Sequence, residues 1–471
     1  MRQIALFFAA AFITGAALFG AWLASLGYYN TAEHWVGDAY RFKRQVALNT
    51  TGPRILLLAG SSALVGIDSE NLSKLTGKPV VNLATFGGLP LEFHVATAEE
   101  LAKPGDIVVM PLEFNYYAER PTLSLTNVAN LESWGAWFIL DHPKRWYRYF
   151  RHTSFATSAR RLWERRPLPT RAVELVAEKA AKNTRRGMVE LGDYTANSLN
   201  SFGDMLFQGR SNIKVIAGLP SFSVSGHAMD QLIALDKSLK KKGATLWLTW
   251  PAWVPWEVFD IRRDFDRSKV EQVREQVAKR GLTIHCDPEK FQFGMESMLD
   301  MPFHLNVYGA QLRTAQLAEC LGVAVPAGTG ERLYRDRVMQ AEAYDKENPS
   351  DEIVLVADLT TLAAALDRYH TEKGSFPIAN SWFGLHSAFG ESRPDWVPGL
   401  APEYIPALPR DPRMHDEPTE QYLYRSDGRD YKLVSHRPAR CEIIRRMKPV
   451  LIDPVRGCNA VGYWTKGAAD W

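Results

Sequence analysis

Short apolar runs alternate with amphipathic stretches between Arg54 and Leu321. Continuous apolar runs are typical of strands buried on both faces of a parallel sheet, and amphipathic stretches between them are typical of covering helices. The pattern therefore predicts an α/β domain with a parallel sheet. The predicted strands are Arg54–Ala59, Pro79–Ala84, Asp106–Pro111, Ile213–Ile216, Ala244–Thr249 and Leu282–Cys286. The predicted helices include Leu89–Leu101, Met229–Lys242, Ser268–Lys279 and Tyr308–Leu321.

This alternation stops in two places. Residues 122–202 are helical in character and interleave arginines with aromatic residues, which predicts an insertion that caps the sheet. Its basic and aromatic faces either rest on anionic lipid headgroups, grip an anionic glycan, or are simply solvated. After about residue 325 the composition becomes polar, which predicts a linker over 326–350 and a separate domain over 351–471.

The N-terminal segment predicts a membrane anchor. Ile4 to Tyr28 is an uncharged apolar run that is long enough to cross a bilayer as a helix, and Arg2 precedes it. The positive N-terminus favours an N-inside orientation in the inner membrane, with the bulk of the chain in the periplasm. A cleaved signal peptide is the alternative, although the run is longer than the usual apolar part of one. We expect an anchor over 1–30 and the α/β domain over 31–325.

Composition narrows the classes of function. The chain has 471 residues and a net charge of only +3, which argues against a general nucleic-acid binder. The four cysteines lack metal-ligand spacing, and we expect no metal or organic cofactor. Cys441 and Cys458 lie in one short stretch and either form a disulfide or remain free thiols.

Three residues are candidates for a catalytic triad with a serine nucleophile. Ser62 follows the first predicted strand, and Asp300 and His304 lie just before the last predicted helix. A serine hydroxyl becomes nucleophilic when an imidazole takes its proton, and an acid then orients that imidazole. Each residue also has an ordinary structural role available: Ser62 as a helix cap, His304 satisfied by the backbone, and Asp300 in a turn.

These motifs resemble the SGNH (GDSL-like) hydrolase superfamily over about 54–321. They are Gly60-Ser61-Ser62, the run Asn82–Gly88 and the spacing from Asp300 to Gly309. The nearest likeness is to its membrane-anchored branch of envelope polysaccharide acylation and teichoic acid D-alanyl transfer. The resemblance implies a flavodoxin-like three-layer sandwich with a parallel sheet.

The resemblance also assigns roles to residues. It implies Ser62 as nucleophile, His304 as base and Asp300 as the orienting acid. The oxyanion hole would comprise the backbone N–H groups of Ser62 and of Gly87 or Gly88, together with the side chain of Asn115. The sequence departs from the family where Ser61 replaces the usual Asp and where the third conserved block is absent. Asp300 also lies four residues before His304 instead of three.

Two further features bear on partners. Trp250 and Trp253 belong to a tryptophan cluster that also includes Trp247 and Trp256, and it forms either a platform for sugar rings or part of the core. A helical stripe at Asp351–Tyr369 is followed by Gly374-Ser-Phe-Pro377, by Leu408-Pro-Arg-Asp-Pro412 and by an alternating hairpin pattern at Tyr422–Val434. Over about 351–435 these motifs resemble the globular part of the type II secretion major pseudopilin. The fold expected for 351–471 is therefore a small α+β domain.

The sequence therefore predicts an extracytoplasmic serine esterase or acyltransferase that acts on a cell-envelope or exported polysaccharide or another acylated glycan. The expected partners are the inner membrane and either a membrane acyltransferase or a secretion or pilus machine. The second hypothesis is a catalytically degenerate SGNH-like scaffold that binds glycan and docks to such a machine through its pseudopilin-like domain.

Overall fold

The computed structural model describes residues 2–29, 33–168, 170–190, 194–209, 223–255, 259–415, 419–438 and 440–471. The chain divides into two compact units, Met1–Glu342 and Ala343–Trp471. Each unit buries an apolar core of its own.

The first unit begins with helix α1, Arg2–Ser25. Among the described residues, this helix alone is long and apolar enough to cross a membrane, over Gln3–Ser25. Residues 3–17 are exposed on every side, whereas Trp22 and Ser25 are buried against the rest of the unit. An apolar helix that leaves the protein in this way is consistent with single-pass anchoring.

A four-stranded parallel sheet forms the centre of the first unit. Its order is β2-β1-β3-β6, and an isolated parallel bridge between Leu248 and Ile284 extends it beyond β6. All three pairings between its strands are parallel, and each strand lies within one of the predicted apolar runs. The predicted parallel sheet is therefore confirmed for four of the six predicted strands. The strands of this unit are β1 Ile55–Leu57, β2 Val80–Asn82, β3 Ile107–Pro111, β4 Val189–Glu190, β5 Phe207–Gln208 and β6 Thr245–Thr249.

Two predicted strands have other outcomes. The stretch Leu282–Cys286 contributes only the bridge at Ile284, and Ile213–Ile216 lies outside the described residues. A separate parallel pair, β4 with β5, lies outside the central sheet.

Helices pack on the sheet and on one another, and outside the insertion α4 packs with α14 and α5 with α12. The helices outside the insertion are α2 His34–Asn49, α3 Ser61–Leu64, α4 Ser69–Thr76, α5 Leu91–Leu101, α6 Phe114–Tyr117, α12 Gly226–Lys241, α13 Asp264–Ala278, α14 Val307–Cys320 and α15 Thr329–Glu347. Between α6 and α12 the chain forms the insertion helices α7 Leu125–Ser133, α8 Ala136–Leu140, α9 Pro143–Phe150, α10 Phe155–Glu164 and α11 Val173–Arg186.

The insertion encloses the carboxyl end of helix α1. The Trp22 ring lies in an apolar cluster with Phe93 and Phe138 and donates a 2.5 Å hydrogen bond from Nε1 to Glu132. Arg161 pairs with the same buried carboxylate at 2.8 Å. The carboxyl end of α1 is therefore part of the folded unit.

The region expected as a linker, 326–350, contains α15. Arg337 on this helix donates a bidentate pair of hydrogen bonds to the buried carboxylate of Asp68, at 2.8 and 2.9 Å. The first part of the predicted linker is thus packed into the first unit. Arg337 can be buried there because Asp68 provides a buried counter-charge.

The second unit combines helix α16 with a six-stranded antiparallel sheet of order β11-β12-β10-β9-β7-β8. The expected helix and hairpin are both present, with β9 and β10 paired around a Ser-Asp-Gly turn. The elements are α16 Asp351–Lys373, β7 Ala379–His386, β8 Phe389–Glu391, β9 Tyr422–Ser426, β10 Tyr431–His436, α17 Cys441–Met447, β11 Ile452–Asp453 and β12 Gly457–Trp464.

Each unit holds one disulfide. Cys441 is bonded to Cys458 in the second unit, which resolves the alternative between a disulfide and free thiols. Cys286 is bonded to Cys320 in the first unit, a pair that the sequence did not suggest. Disulfides are typical of proteins outside the reducing cytosol.

A buried ion pair joins the starts of β1 and β3. Arg54 and Asp106 are both fully buried, and their side chains lie 2.6 Å apart. Asp106 also accepts the backbone N–H of Arg54 at 2.8 Å, so one carboxylate aligns both strands.

We expect Asp106→Asn to lower the free energy of unfolding by about 3–5 kcal/mol, because it leaves the Arg54 charge buried without a counter-charge. Guanidinium unfolding in detergent, followed by tryptophan fluorescence, measures the change. The matched control is Lys240→Gln, which breaks an exposed pair with Asp236 and should cost no more than about 1 kcal/mol. Equal costs for the two variants would contradict a structural role for the buried pair.

Candidate active site

A tight turn after β1 places two serines at the carboxyl end of the sheet. Gly60 precedes the short helix α3, which begins at Ser61. A Cβ at Gly60 would lie 2.6 Å from the Glu113 carboxylate and 2.8 Å from the Cα of Gly87. The close approach of these three loops therefore requires glycine at this position.

The His304 imidazole faces Ser61. His304 Nε2 lies 2.8 Å from Ser61 Oγ, and His304 Nδ1 lies 2.8 Å from Asp300 Oδ1. Since a carboxylate only accepts, Nδ1 carries the ring proton and Nε2 is free to accept from the Ser61 hydroxyl. The backbone fixes the ring, because His304 N–H donates to the carbonyl of Met301 at 3.0 Å and its own carbonyl accepts from Leu299 at 2.9 Å.

A tyrosine completes this hydrogen-bonded group. The Tyr194 hydroxyl lies 3.0 and 2.9 Å from the two carboxylate oxygens of Asp300 and 3.0 Å from His304 Nδ1. Burial raises the pKa of the Asp300 carboxyl, but the hydrogen bond and charge of His304 and the bond from Tyr194 outweigh it and hold the pKa below its usual value. Burial and the Asp300 charge raise the pKa of Tyr194 far above its usual value, so this hydroxyl keeps its proton.

The geometry corrects the assignment of Ser62 as the residue that faces the imidazole. Ser62 is fully buried, and its Oγ lies 3.2 Å from the Arg313 guanidinium and 3.3 Å from the backbone N–H of Ala252. Successive residues of a helix point about 100° apart, so only one of two adjacent serines can face His304. That residue is Ser61, which is half-buried.

A buried carboxylate beneath the turn holds it in place. Glu113 accepts the backbone N–H of Ser62 at 2.9 Å and that of Gly60 at 3.2 Å. Burial raises the pKa of Glu113, and these N–H bonds and the nearby Arg313 charge only partly offset it. Burial lowers the pKa of Arg313 to about 9, although the Glu113 charge opposes that shift. Glu113 is thus a clamp on the turn with Arg313 as its buried counter-charge.

Because Ser61 faces His304 in place of Ser62, the expected oxyanion donors also change. The N–H of Ser62 is directed at Glu113, so it does not face the site. Gly87 lies beside Ser61: a Cβ on Gly87 would be 3.6 Å from Ser61 Oγ and 3.9 Å from its backbone nitrogen. Asn115 is exposed and makes no hydrogen bond to Ser61, Asp300 or His304 in the described part of the chain.

Gly88 has a different role from Gly87. A Cβ at Gly88 would meet the Phe86 ring, and its carbonyl accepts a 2.5 Å hydrogen bond from Asn127 Nδ2. Asn127 also closes a capping box with Ser124 at the start of α7. The insertion therefore fixes the peptide that follows Gly88.

The tryptophans expected to stack on sugars are corrected as well. Trp250 and Trp253 are buried in the main core, with Nε1 of Trp250 bonded to the carbonyl of Cys286 at 3.0 Å and Nε1 of Trp253 to Gln292 at 3.3 Å. Their ring faces contact other aromatic side chains and are not available to a ligand. Trp256 lies outside the described residues.

Sequence reasoning missed four residues of this region. Ser61 was next to the chosen serine, and the tandem hydroxyls were the signal that could have raised it. Glu113 follows a predicted strand, but no pattern in the sequence connects it with the turn after β1. Tyr194 and Asn127 lie in the insertion, where no periodic pattern places them against the sheet.

Comparisons with known proteins add little to this geometry. No protein-family model and no curated protein matches the chain. One solved structure, that of the protein YxiM from Bacillus subtilis, is similar at 12% sequence identity and a TM-score of 0.20. The match covers 63% of this chain and 57% of that one, so the chain spans less than two thirds of its length.

The depressed pKa of Asp300 predicts a pH-dependent stability. A carboxyl whose folded pKa lies below the unfolded value of about 3.8 stabilises the fold fully above that value and loses the contribution as the pH falls through the folded pKa. We expect wild type to melt at a higher temperature than Asp300→Asn at pH 7, and the difference to shrink below about pH 4. Thermal unfolding in detergent across pH 7 to pH 2.5 tests this, and a difference that grows on acidification would contradict it.

Proposed function

We propose that this protein is a serine acyl-transfer enzyme in which Ser61 is the nucleophile, His304 the general base and Asp300 the acid that orients it. The observation that carries the proposal is the pair of 2.8 Å contacts on opposite nitrogens of one imidazole, to a serine hydroxyl and to a carboxylate. Arranged in this way, an imidazole can remove the hydroxyl proton as the serine attacks. Ser61 takes the role that the sequence assigned to Ser62.

The proposed reaction has two steps, acylation of Ser61 and then deacylation. Ser61 Oγ attacks the acyl carbonyl while its proton passes to His304 Nε2, and the resulting oxyanion collapses as the leaving alcohol takes that proton. A sugar hydroxyl or water next attacks the acyl-serine and gives its proton to His304, which passes it to Ser61 Oγ as the bond between that oxygen and the acyl carbon breaks. The backbone N–H groups of Ser61 and Gly87 are the proposed oxyanion donors, since the two residues adjoin at the mouth of the turn. Asn115 stays a prediction as a side-chain donor.

The topology supports the SGNH-like assignment. Strand order β2-β1-β3-β6, followed by the bridge at Ile284, matches the 2-1-3-4-5 order of flavodoxin-like sheets. Ser61 follows β1 and Glu113 follows β3, on either side of the point between these two strands where the strand order reverses. Sites in such sheets form at this edge, beyond the carboxyl ends of the strands.

The compartment and substrate class rest on other features. Two disulfides and an apolar N-terminal helix support a periplasmic enzyme anchored in the inner membrane. The burial of Trp22 against Glu132 supports an uncleaved anchor, because cleavage near Ala24 would remove a side chain from the folded unit. The proposed substrate is an acyl ester on an envelope polysaccharide or another acylated glycan, with a membrane acyltransferase as a candidate donor partner.

The scaffold hypothesis is the weaker of the two. A glycan-binding scaffold needs a surface for sugar rings, and the burial of Trp250 and Trp253 removes them as such a surface. The helix and hairpin of the second unit still support a pseudopilin-like docking module for an export or pilus partner, which is compatible with either function.

A serine-directed fluorophosphonate distinguishes an active enzyme from a scaffold. We expect covalent labelling of wild-type protein at Ser61, because the probe phosphorus takes the place of the acyl carbon and fluoride leaves. Ser61→Ala should reduce labelling and the turnover of a small acetyl ester by a factor of about 10³ or more. Peptide mass spectrometry locates the adduct.

Ser62→Ala is the matched control. It removes a hydroxyl of the same kind one residue away, and that hydroxyl faces Arg313 instead of His304. We expect Ser62→Ala to be less stable than wild type yet to be labelled at Ser61. Labelling that survives in Ser61→Ala and disappears in Ser62→Ala would return the nucleophile to Ser62 and refute this assignment.

The Tyr194 hydroxyl should tune the titration of Asp300. Its hydrogen bond lowers the pKa of Asp300, so Tyr194→Phe should raise that pKa and move upward, by up to about one pH unit, the pH at which Asp300 stops stabilising the fold. Thermal unfolding of Tyr194→Phe, with and without Asp300→Asn, across pH 7 to pH 2.5 measures the shift. An equal loss of stability at every pH would instead indicate a merely structural tyrosine.

A further inference from the structure

The anchor helix is too short to cross a bilayer outside the protein. Gln3–Ser25 has 23 residues, a length of about 34 Å at 1.5 Å per residue, and the hydrocarbon core is about 30 Å thick. Only residues 3–17 stand clear of the folded unit, which is about 22 Å of helix. The remaining 8 Å or so of apolar thickness therefore falls at the level of residues 18–22, where α1 is already covered by protein.

The insertion helices α9 and α10 cover that level. The Phe19 ring lies 6.4 Å from Trp146 and 5.3 Å from Phe150, and α1 packs closely along α10. Beyond the end of α1, the N–H of Tyr29 donates to the carbonyl of Arg166 at 2.9 Å. The stretch from Trp146 to Arg166 thus lies beside α1, from a level inside the expected hydrocarbon core to a level beyond the carboxyl end of the helix.

This stretch exposes large aromatic side chains that the core does not use. Trp163 is 90% exposed, Tyr147 67% and Phe155 63%. Tryptophan and tyrosine favour the boundary between lipid and water, because their rings are apolar and their N–H or O–H groups are polar. Trp163 and Tyr147, together with the apolar ring of Phe155, form a belt around the exit of α1 at the level that the helix length requires.

The charge of the same stretch fits an anionic lipid surface. Arg145 and Arg148 pair with Glu92, and Arg161 pairs with Glu132, so these three arginines hold the fold together. Further basic side chains are exposed on the same two helices and the segment after them: Lys144, Arg151, Arg165 and Arg166. A basic residue near an anionic leaflet contributes about 1 kcal/mol of attraction.

We propose that α9 and α10 form a membrane-docking element that inserts its exposed aromatic side chains into the interface of the bilayer that α1 spans, with anionic lipid headgroups as the partner of its exposed arginines. The occupant is lipid because the surface is continuous with the anchor helix. The proposal rests on α1 as an anchor and does not depend on the proposed acyl transfer.

Docking of this element places the candidate active site close to the membrane. Leu89 and Phe93 lie in the same apolar cluster as Trp22, and Phe86 packs against it. Gly87 therefore belongs to a loop whose flanking residues rest on the membrane-facing insertion.

Spin labels at single cysteines test the docking. All four native cysteines are disulfide-bonded, so Phe155→Cys and Trp163→Cys can be labelled selectively in the full-length protein. In vesicles of equimolar phosphatidylcholine and phosphatidylglycerol, collision with oxygen reports lipid contact and collision with a water-soluble nickel chelate reports water contact. We expect the oxygen-to-nickel ratio at both positions to be several-fold higher than at Phe265→Cys, a control on α13 that is 72% exposed.

Phe8→Cys in the middle of α1 is the positive control for insertion. Labels at 155 and 163 that are as water-accessible as the label at 265 would overturn the proposal, and so would a water-accessible label at position 8. Protection of both labels by a soluble anionic polysaccharide, with no effect of vesicles, would show a glycan surface instead. Replacement of phosphatidylglycerol by phosphatidylcholine should lower the ratio, and an unchanged ratio would overturn the role of the arginines.

Discussion

The Glu113 carboxylate holds the turn on which the candidate site depends. It receives the N–H groups of Gly60 and Ser62 from below, and this fixes α3 so that one hydroxyl points outward and the next points into the core. A carboxylate buried this deeply is costly unless it is compensated, and Arg313 supplies the opposite charge while also binding the carbonyl of Ser62. The direction of Ser61 is therefore set by buried electrostatics as much as by the helix that follows.

The sequence was most informative where the pattern is dictated by burial. Strands β1, β2, β3 and β6 are covered on both faces, so they read as continuous apolar runs and were predicted within a residue or two of their bounds. Asp300 and His304 were also found, because an acid and a histidine so close together before a helix are an uncommon combination. Their mutual contact needed only local geometry.

The choice between Ser61 and Ser62 could not be made in the same way. Both residues have a hydroxyl after the same strand, and which one faces His304 depends on the phase of a four-residue helix. That phase is set by Glu113, more than fifty residues away in the chain. Tyr194 is a similar case, since it reaches Asp300 from the insertion by a tertiary contact with no local signal. The expectation that Trp250 and Trp253 form a platform for sugar rings was wrong for another reason. Aromatic side chains that can stack on sugars pack equally well in an apolar core.

The contact between Trp22 and Glu132 bears on how a soluble form of the protein should be cut. A truncation placed after Tyr29, where the apolar run ends, would empty the site of a fully buried indole and remove one of the hydrogen bonds to the buried Glu132 carboxylate, which would keep its pair with Arg161. Starting the shortened chain near Leu18 keeps that indole and sheds the fifteen or so residues that touch nothing else in the unit. The boundary between the exposed part of α1 and the part that packs on the folded unit thus lies within one helix, about two turns before its end.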